Sequence, residues 1–222
     1  MNKLYKTAVI TGISSGIGLA LTKKLLNENY NVIGTTRSGK LDDFSHSNLQ
    51  VISLEATNQE SRNNAINEIL AITTDIDLLV NNAGIAPDAF SNQPDFDSFT
   101  ETIDTNVTSV IFFTESLLKN IKTGGKIAFI SSSMGLLKNA APNGTAYRIS
   151  KNAINMYAAM LATRVIDKEI IVTPIHPGWV QTKLGGNQAP FTTEDSADGI
   201  YNAILLNTAS GKFWDITIPG LD

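Results

Sequence analysis

The 222-residue chain reads as an α/β fold, a doubly wound sheet of about seven parallel strands with helices on both faces. Short apolar, β-branched runs recur along the chain, and the stretches between them repeat their apolar residues at a helical period. The irregular Gly-, Ser- and Asn-rich loops each follow one of the apolar runs. Strands alternating with helices imply parallel βαβ units, and right-handed crossovers put the helices on both faces. TAVI (7–10) is a strand that runs into the turn TGISSGIG, after which Ile17, Ala20, Leu21 and Leu25 mark a helix over 17–29. NVIGTT (31–36) and LQVISL (49–54) are the next strands, and a stripe at Ala65, Ile66, Ile69 and Leu70 predicts a helix over 61–72. DLLV (77–80) is a buried strand that breaks at NNAG, and a long helical region covers 95–122. KIAFIS (126–131), a helix over 145–166, IIVTPI (170–175), a helix over 193–206 and FWDITI (213–218) complete the pattern. Neither a linker, an internal repeat nor a low-complexity tract interrupts it, so a single domain over 1–222 is expected.

Composition narrows the chemistry. The chain holds 17 Lys and Arg against 21 Asp and Glu, a net charge of −4 without a basic block, so no nucleic-acid partner is expected. There is no Cys, which removes disulfides, thiolate catalysis and thiolate-bound metals, and with only two His no metal site is expected. The opening residues lack a signal-peptide core, and no apolar run reaches about 18 residues. The expectation is a cytoplasmic protein without a membrane partner.

TGISSGIG admits two readings. Gly12-Ile13-Ser14-Ser15-Gly16 matches the G-x-S-x-G elbow that presents a nucleophilic serine, here Ser14. That motif needs an oxyanion donor from a loop after an earlier strand, and the ten residues before Thr11 hold one strand at most. Gly12, Gly16 and Gly18 alternatively form a phosphate cradle between strand and helix, with Ser14 and Ser15 as added donors. The loop carries no Lys, so it is not a P-loop. At the end of the second strand, where an acid would select NAD, the sequence is Gly34-Thr35-Thr36-Arg37-Ser38. A guanidinium at Arg37 suits a 2′-phosphate, which favours NADP(H) over NAD(H).

Of the five Tyr, Tyr147 alone is followed four places on by Lys, at Lys151. On a helix the two share a face about 6 Å apart along the axis. A free phenol titrates near 10, and a neighbouring ammonium and a cationic nicotinamide would lower that value. A tyrosine so tuned passes a proton to or from a carbonyl oxygen.

The ordered set of TGISSGIG, NNAG (81–84), Asn106 in DTNVTS, SSSMG (131–135), Tyr147/Lys151 and HPGWVQT (176–182) resembles the short-chain dehydrogenase/reductase family over nearly the whole chain. HPGWVQT, SSSMG and AYRISK look most like its carbonyl-reductase-like branch, which includes the C-factor proteins. The resemblance implies a Rossmann-type domain with strand order 3-2-1-4-5-6-7 and an oxidoreductase acting on a small carbonyl or secondary alcohol. It implies Tyr147 as acid/base and Lys151 on the nicotinamide ribose. Asn106 would hold a relay water, and Ser132, three before Gly135, would bond the substrate oxygen. Gly12, Ser14, Ser15, Gly16, Ile17 and Gly18 would hold the pyrophosphate. Arg37, Glu55, Ala56, Asn82, Ala83 and Gly84 would line the adenosine side, while Val180 and Thr182 would meet the carboxamide. His176 reads as structural.

Glu55-Ala56 replaces the family's Asp after the third strand, and Gly135 to Tyr147 is two residues longer than the commonest family spacing. The segment 182–194 is short, which implies an open or shallow substrate site lined by Trp179, Leu184, Pro190 and Phe191. Members of the family form homodimers or homotetramers through the long helices, and some of this branch are monomers. The alternative function is that of an NAD(P)-binding signalling or regulatory protein of the C-factor type with little turnover; the intact Asn-Ser-Tyr-Lys set argues for catalysis.

Overall fold

The structure, a computed structural model, describes residues 6–218. Its strands are β1 (Lys6–Ile10), β2 (Tyr30–Thr36), β3 (Leu49–Ser53), β4 (Ile76–Asn81), β5 (Ile121–Ile130), β6 (Ile171–His176) and β7 (Trp214–Asp215). They form one sheet in the order β3-β2-β1-β4-β5-β6-β7, with every pairing parallel. The chain winds outward from β1 to β3, then returns to lay β4 against the free side of β1. That reversal opens a crevice above the carboxyl ends of β1 and β4, where ligands bind in such sheets.

The helices are α1 (Gly16–Asn27), α2 (Gln59–Ile72), α3 (Phe96–Ile103), α4 (Ser109–Leu117), α5 (Thr145–Arg164) and α6 (Thr193–Leu206). Alternation along β1 divides the core. Val9 joins the apolar cluster under α2, α4 and α5, built on Ile69, Phe113, Ile154 and Leu161. Ala8 and Ile10 join the cluster under α1 and α6, with Leu21, Leu25, Ile200 and Ile204. A strand buried on both faces needs such a continuous apolar run, as TAVI and DLLV have.

Two sequence expectations are corrected here. The single helix over 95–122 is broken by a π-helical turn at Asp104–Thr108 and ends by Asn120, after which β5 starts at Ile121 rather than 126. The register between β4 and β5 shifts between Ile76 and Leu78, and the intervening KTGG is taken up in that irregularity, with Gly124 at φ +74°. FWDITI is not a six-residue strand. Only Trp214 and Asp215 pair, with Ile175 and His176. The Asp215 carboxylate then accepts from Thr217 N at 2.9 Å and Thr217 Oγ1 at 2.7 Å, a local turn that competes with the ladder.

Candidate active site

A cleft of about 1120 Å³ runs along the carboxyl edge of the sheet. Arg37, Glu55 and Ala56 line one end, the glycine turn and Asn82–Gly84 its middle, and Ser132, Tyr147 and Lys151 the other end. Val180 and Thr182 lie on its wall.

The glycine turn is built to leave donors free. Gly12 and Gly16 take φ of +73° and +58°, which a side chain would strain. Gly18 has a helical backbone, but a Cβ there would stand 2.2 Å from the Gly12 carbonyl oxygen and 2.5 Å from Asn82 Nδ2. Ile13 anchors the loop: it is fully buried over β2, where a Cβ on Gly34 would reach within 2.1 Å of its Cδ1. The N–H groups of Gly12 and Ile13 donate to the Thr35 carbonyl. The first bond of α1 is from Leu19 N to Ser15 O, so the N–H groups of Gly16, Ile17 and Gly18 find no backbone acceptor among the described residues. Ser14 and Ser15 are exposed, and their hydroxyls have no partner in that set. Among the described residues no hydrogen bond joins Ser14 to His176, and His176 Nδ1, where a triad acid would bond, is buried without a partner, so the serine-nucleophile reading fails on geometry. Burial lowers the His176 pKa, with Asp215 opposing.

Thr11, outside the expected set, and Asn82, within it, hold this turn to the next loop. The Thr11 hydroxyl accepts from both Asn82 N and Ala83 N at 3.0 Å. Asn82 Nδ2 in turn donates to the carbonyls of Thr11 and Gly12 at 2.9 and 3.0 Å. The Asn82 side chain therefore clamps the cradle from behind. One layer down, Asn81 Nδ2 donates to Thr114 Oγ1 at 2.9 Å and ties β4 to α4. Thr11 and Asn81 lie inside the TGISSGIG and NNAG motifs of the sequence, which mark the two loops without showing that these side chains join them.

At the Arg37 end of the cleft, the Arg37 side chain is exposed and has no ion-pair or hydrogen-bond partner among the described residues. Glu55 Oε1 accepts from Thr57, and the Ala56 carbonyl accepts from Arg62 Nη1 at 2.6 Å, which pins the end of β3.

At the other end, α5 presents Tyr147 and Lys151 from successive turns, both buried. Lys151 Nζ donates to the Ile130 carbonyl at 2.8 Å and lies 5.5 Å from the centre of the Tyr147 ring. Burial pulls the Lys151 pKa down to about 8. Tyr147 departs from the sequence expectation. Burial pushes its phenol above the ordinary value, and a hydrogen bond with Ser132 opposes that rise. In the chain by itself, desolvation sets the direction of the shift. Ser132 Oγ accepts from Met134 N at 3.1 Å, which leaves its proton pointed toward the Tyr147 phenol. Its neighbour Ser131 is committed instead to Asn155 Oδ1 at 2.6 Å. Gly135 makes the approach to α5 feasible, since a Cβ there would meet Lys151 and Asn152 backbone atoms at 2.7–2.8 Å.

Asn106 sits in the π turn, an insertion that redirects the helix at that point. Its Oδ1 accepts from Ile85 N at 2.8 Å, and its Nδ2 donates to the Ile85 carbonyl at 2.8 Å and to Ser150 Oγ at 3.1 Å. Both amide protons and one bond to Oδ1 are thus taken up by protein partners, which locks the loop after NNAG onto α5.

At the mouth, Trp179 and Leu184 line the cleft, as expected, together with Phe90 and Met134. Pro190 and Phe191 do not. A bridge between Val180 and Phe191 folds that segment back, and the Phe191 ring covers Gly178. Arg148 braces the lengthened loop before α5, donating to the carbonyls of Asn139 and Asn143 at 2.8 and 2.7 Å.

Residues 6–192 match the family model for short chain dehydrogenase. The 3-oxoacyl-acyl-carrier-protein reductase FabG of Vibrio harveyi is 28% identical over 221 residues, covering 97% of this chain and 86% of that protein. The carbonyl reductase Sniffer of D. melanogaster superposes with a TM-score of 0.89 at 27% identity, covering 96% of this chain and 97% of that one. An NADPH-bound carbonyl reductase from chicken fatty liver gives a TM-score of 0.85 at 25% identity, with 96% and 93% covered. A Rossmann sheet in this strand order, with the glycine turn, NNAG and Tyr-x-x-x-Lys gathered along one edge, agrees with all three likenesses, and the chain belongs to the short-chain dehydrogenase/reductase family of oxidoreductases.

Proposed function

We propose that this single domain is an NADP(H)-dependent reductase of a small carbonyl compound, working reversibly on the secondary alcohol. The observation that carries the reading is the one continuous cleft with free anion donors and Arg37 at one end and Ser132, Tyr147 and Lys151 at the other. Three features fit a phosphorylated dinucleotide: the unbonded N–H groups of Gly16 to Gly18, the hydroxyls of Ser14 and Ser15, and the unpaired guanidinium of Arg37. Glu55, Ala56 and Asn82–Gly84 would flank the adenosine of the bound cofactor, and Val180 and Thr182 would face its carboxamide. When bound, the cofactor supplies the hydride.

The protein's own part is orientation and proton transfer. Ser132 donates a hydrogen bond to the substrate oxygen and keeps its proton. Tyr147, neutral because burial raises its pKa, donates a second hydrogen bond and then its proton as negative charge builds on that oxygen. Lys151 is placed to hold the cofactor ribose and, once drawn toward the phenol, to stabilise the phenolate left behind. Asn106 keeps Ile85 and Ser150 in place around Tyr147 and Lys151. Hydrophobic Phe90, Trp179 and Leu184 at the mouth suit an apolar substrate body. The related carbonyl reductases and FabG, each named as a reductase, support this direction.

Tyr147→Phe tests the reading. Turnover of aldehydes, ketones and quinones with NADPH should fall by at least 10³-fold, while the NADPH dissociation constant stays within about twofold; retained turnover would overturn the mechanism.

A further inference from the structure

The loop after NNAG, residues 85–91, belongs to none of the sequence motifs, yet its hydrogen bonds run to the helix that carries Tyr147. Asp88 is only 5% exposed. Its Oδ2 accepts from Ala146 N at 2.6 Å and its Oδ1 from Tyr147 N at 3.2 Å. None of the salt bridges among the described residues includes it. A buried carboxylate without a cation is costly unless its oxygens are satisfied, and here the free N–H groups and positive end of α5 satisfy them. The helix has no local substitute. Its N-cap is Gly144 at φ +68°, which offers no side chain.

The surrounding contacts point the same way. Gly144 N donates to the Ser91 carbonyl at 2.9 Å, and Asn143 Nδ2 to the Ala89 carbonyl at 2.8 Å. At the start of the loop, both amide atoms of Asn106 grip Ile85. Residues 85–91 therefore splint three parts of the site: the NNAG loop, the π turn and the first turn of α5. Asp88 is the one side chain in the splint that bonds the backbone of Tyr147 itself. Two bonds to adjacent N–H groups fix both the height of α5 and its rotation about its own axis.

We propose that Asp88 is a positioning residue for Tyr147, holding the phenol at the reacting oxygen through the backbone of the first turn of α5. The proposal rests on the acid/base reading of Tyr147. It predicts a loss in turnover with little loss in cofactor binding, because the phosphate cradle and Arg37 lie on other elements and Lys151 sits a full turn beyond the capped residues, and a misplacement of about 1 Å costs on the order of 10²-fold.

The test uses the full chain with Asp88→Asn and Asp88→Ser, alongside Ile154→Val as a core change in the same helix remote from its N-terminus. In Asp88→Asn one acceptor becomes a donor facing an N–H group, so kcat should fall at least tenfold. The substrate KM and the NADPH dissociation constant should stay within about twofold. Asp88→Ser retains a single acceptor and keeps the variant set informative if the Asn form folds poorly. Ile154→Val should lower the thermal midpoint and leave kcat unchanged. Two readouts need no turnover: amide exchange at Ala146 and Tyr147, which should accelerate, and the 13Cζ-tyrosine resonance of Tyr147, which should move while the other four stay. Unchanged kcat in both Asp88 variants, or a loss that merely tracks the thermal midpoint as in Ile154→Val, would overturn the proposal. So would unaltered exchange and resonance position. If wild type reduces no carbonyl, the acid/base reading fails, and the exchange and resonance data still decide whether Asp88 holds Tyr147.

Discussion

Lys151 should make the fold less stable at neutral pH than a neutral residue of the same shape would. Its ammonium is buried, donates to Ile130 O and loses its proton near pH 8 rather than 10.5. Between those values the unfolded chain binds more protons than the folded one, so stability must rise with pH through that window. At pH 7 the native state carries the full penalty, about 3 kcal/mol at 1.36 kcal/mol per pH unit. At pH 9.5 about half of it is gone, which leaves a change of about 2 kcal/mol. Lys151→Met removes the charge but leaves the buried Ile130 carbonyl unpaired, at about 1–3 kcal/mol. The variant should therefore equal or exceed wild type in stability at pH 7 by about 0–2 kcal/mol, and lose about 2 kcal/mol relative to it by pH 9.5. Urea denaturation of both proteins without cofactor at the two pH values measures this; cofactor must be absent because ligand binding adds its own stabilisation. Staying below pH 10 avoids the titration of Tyr30 and Tyr157, whose phenols burial pushes upward. A wild-type-to-variant difference that is constant across the two pH values would refute the assignment of a buried, charged lysine.

Gly18→Ala should destabilise the chain by about 1–3 kcal/mol and weaken NADPH binding, since its Cβ would press on Gly12 O and Asn82 Nδ2; thermal unfolding and a binding titration measure both, and an undisturbed protein would show that the close approach is not required. Arg37→Asp should weaken NADPH binding by about tenfold or more while leaving NADH nearly unchanged; equal effects on both would remove the case for a 2′-phosphate partner.

Most of the site was legible because its residues are set by local rules. A glycine needed for positive φ, as at Gly12 and Gly16, shows itself as a glycine. Tyr147 and Lys151 fall four apart because a helix has 3.6 residues per turn. The reasons behind other residues were not local. Gly34 lies inside a strand for the sake of Ile13, and Gly135 is small for the sake of α5. Thr11 and Asn82 act across 71 residues, and Asp88 across 58, so no window of sequence joins the partners.

The order of apolar runs and helical stripes by itself determined a parallel, doubly wound sheet, since strands buried on both faces and linked by helices have few other arrangements. The spacing of Tyr147 and Lys151 was also settled there. Tertiary structure alone decided the direction in which the pair's pKa values move, because burial, a product of packing, raises the Tyr147 phenol and lowers the Lys151 ammonium. It also decided where the helix after β4 breaks to present Asn106, and that a carboxylate from the loop beyond NNAG, rather than any residue of its own, caps the helix carrying Tyr147.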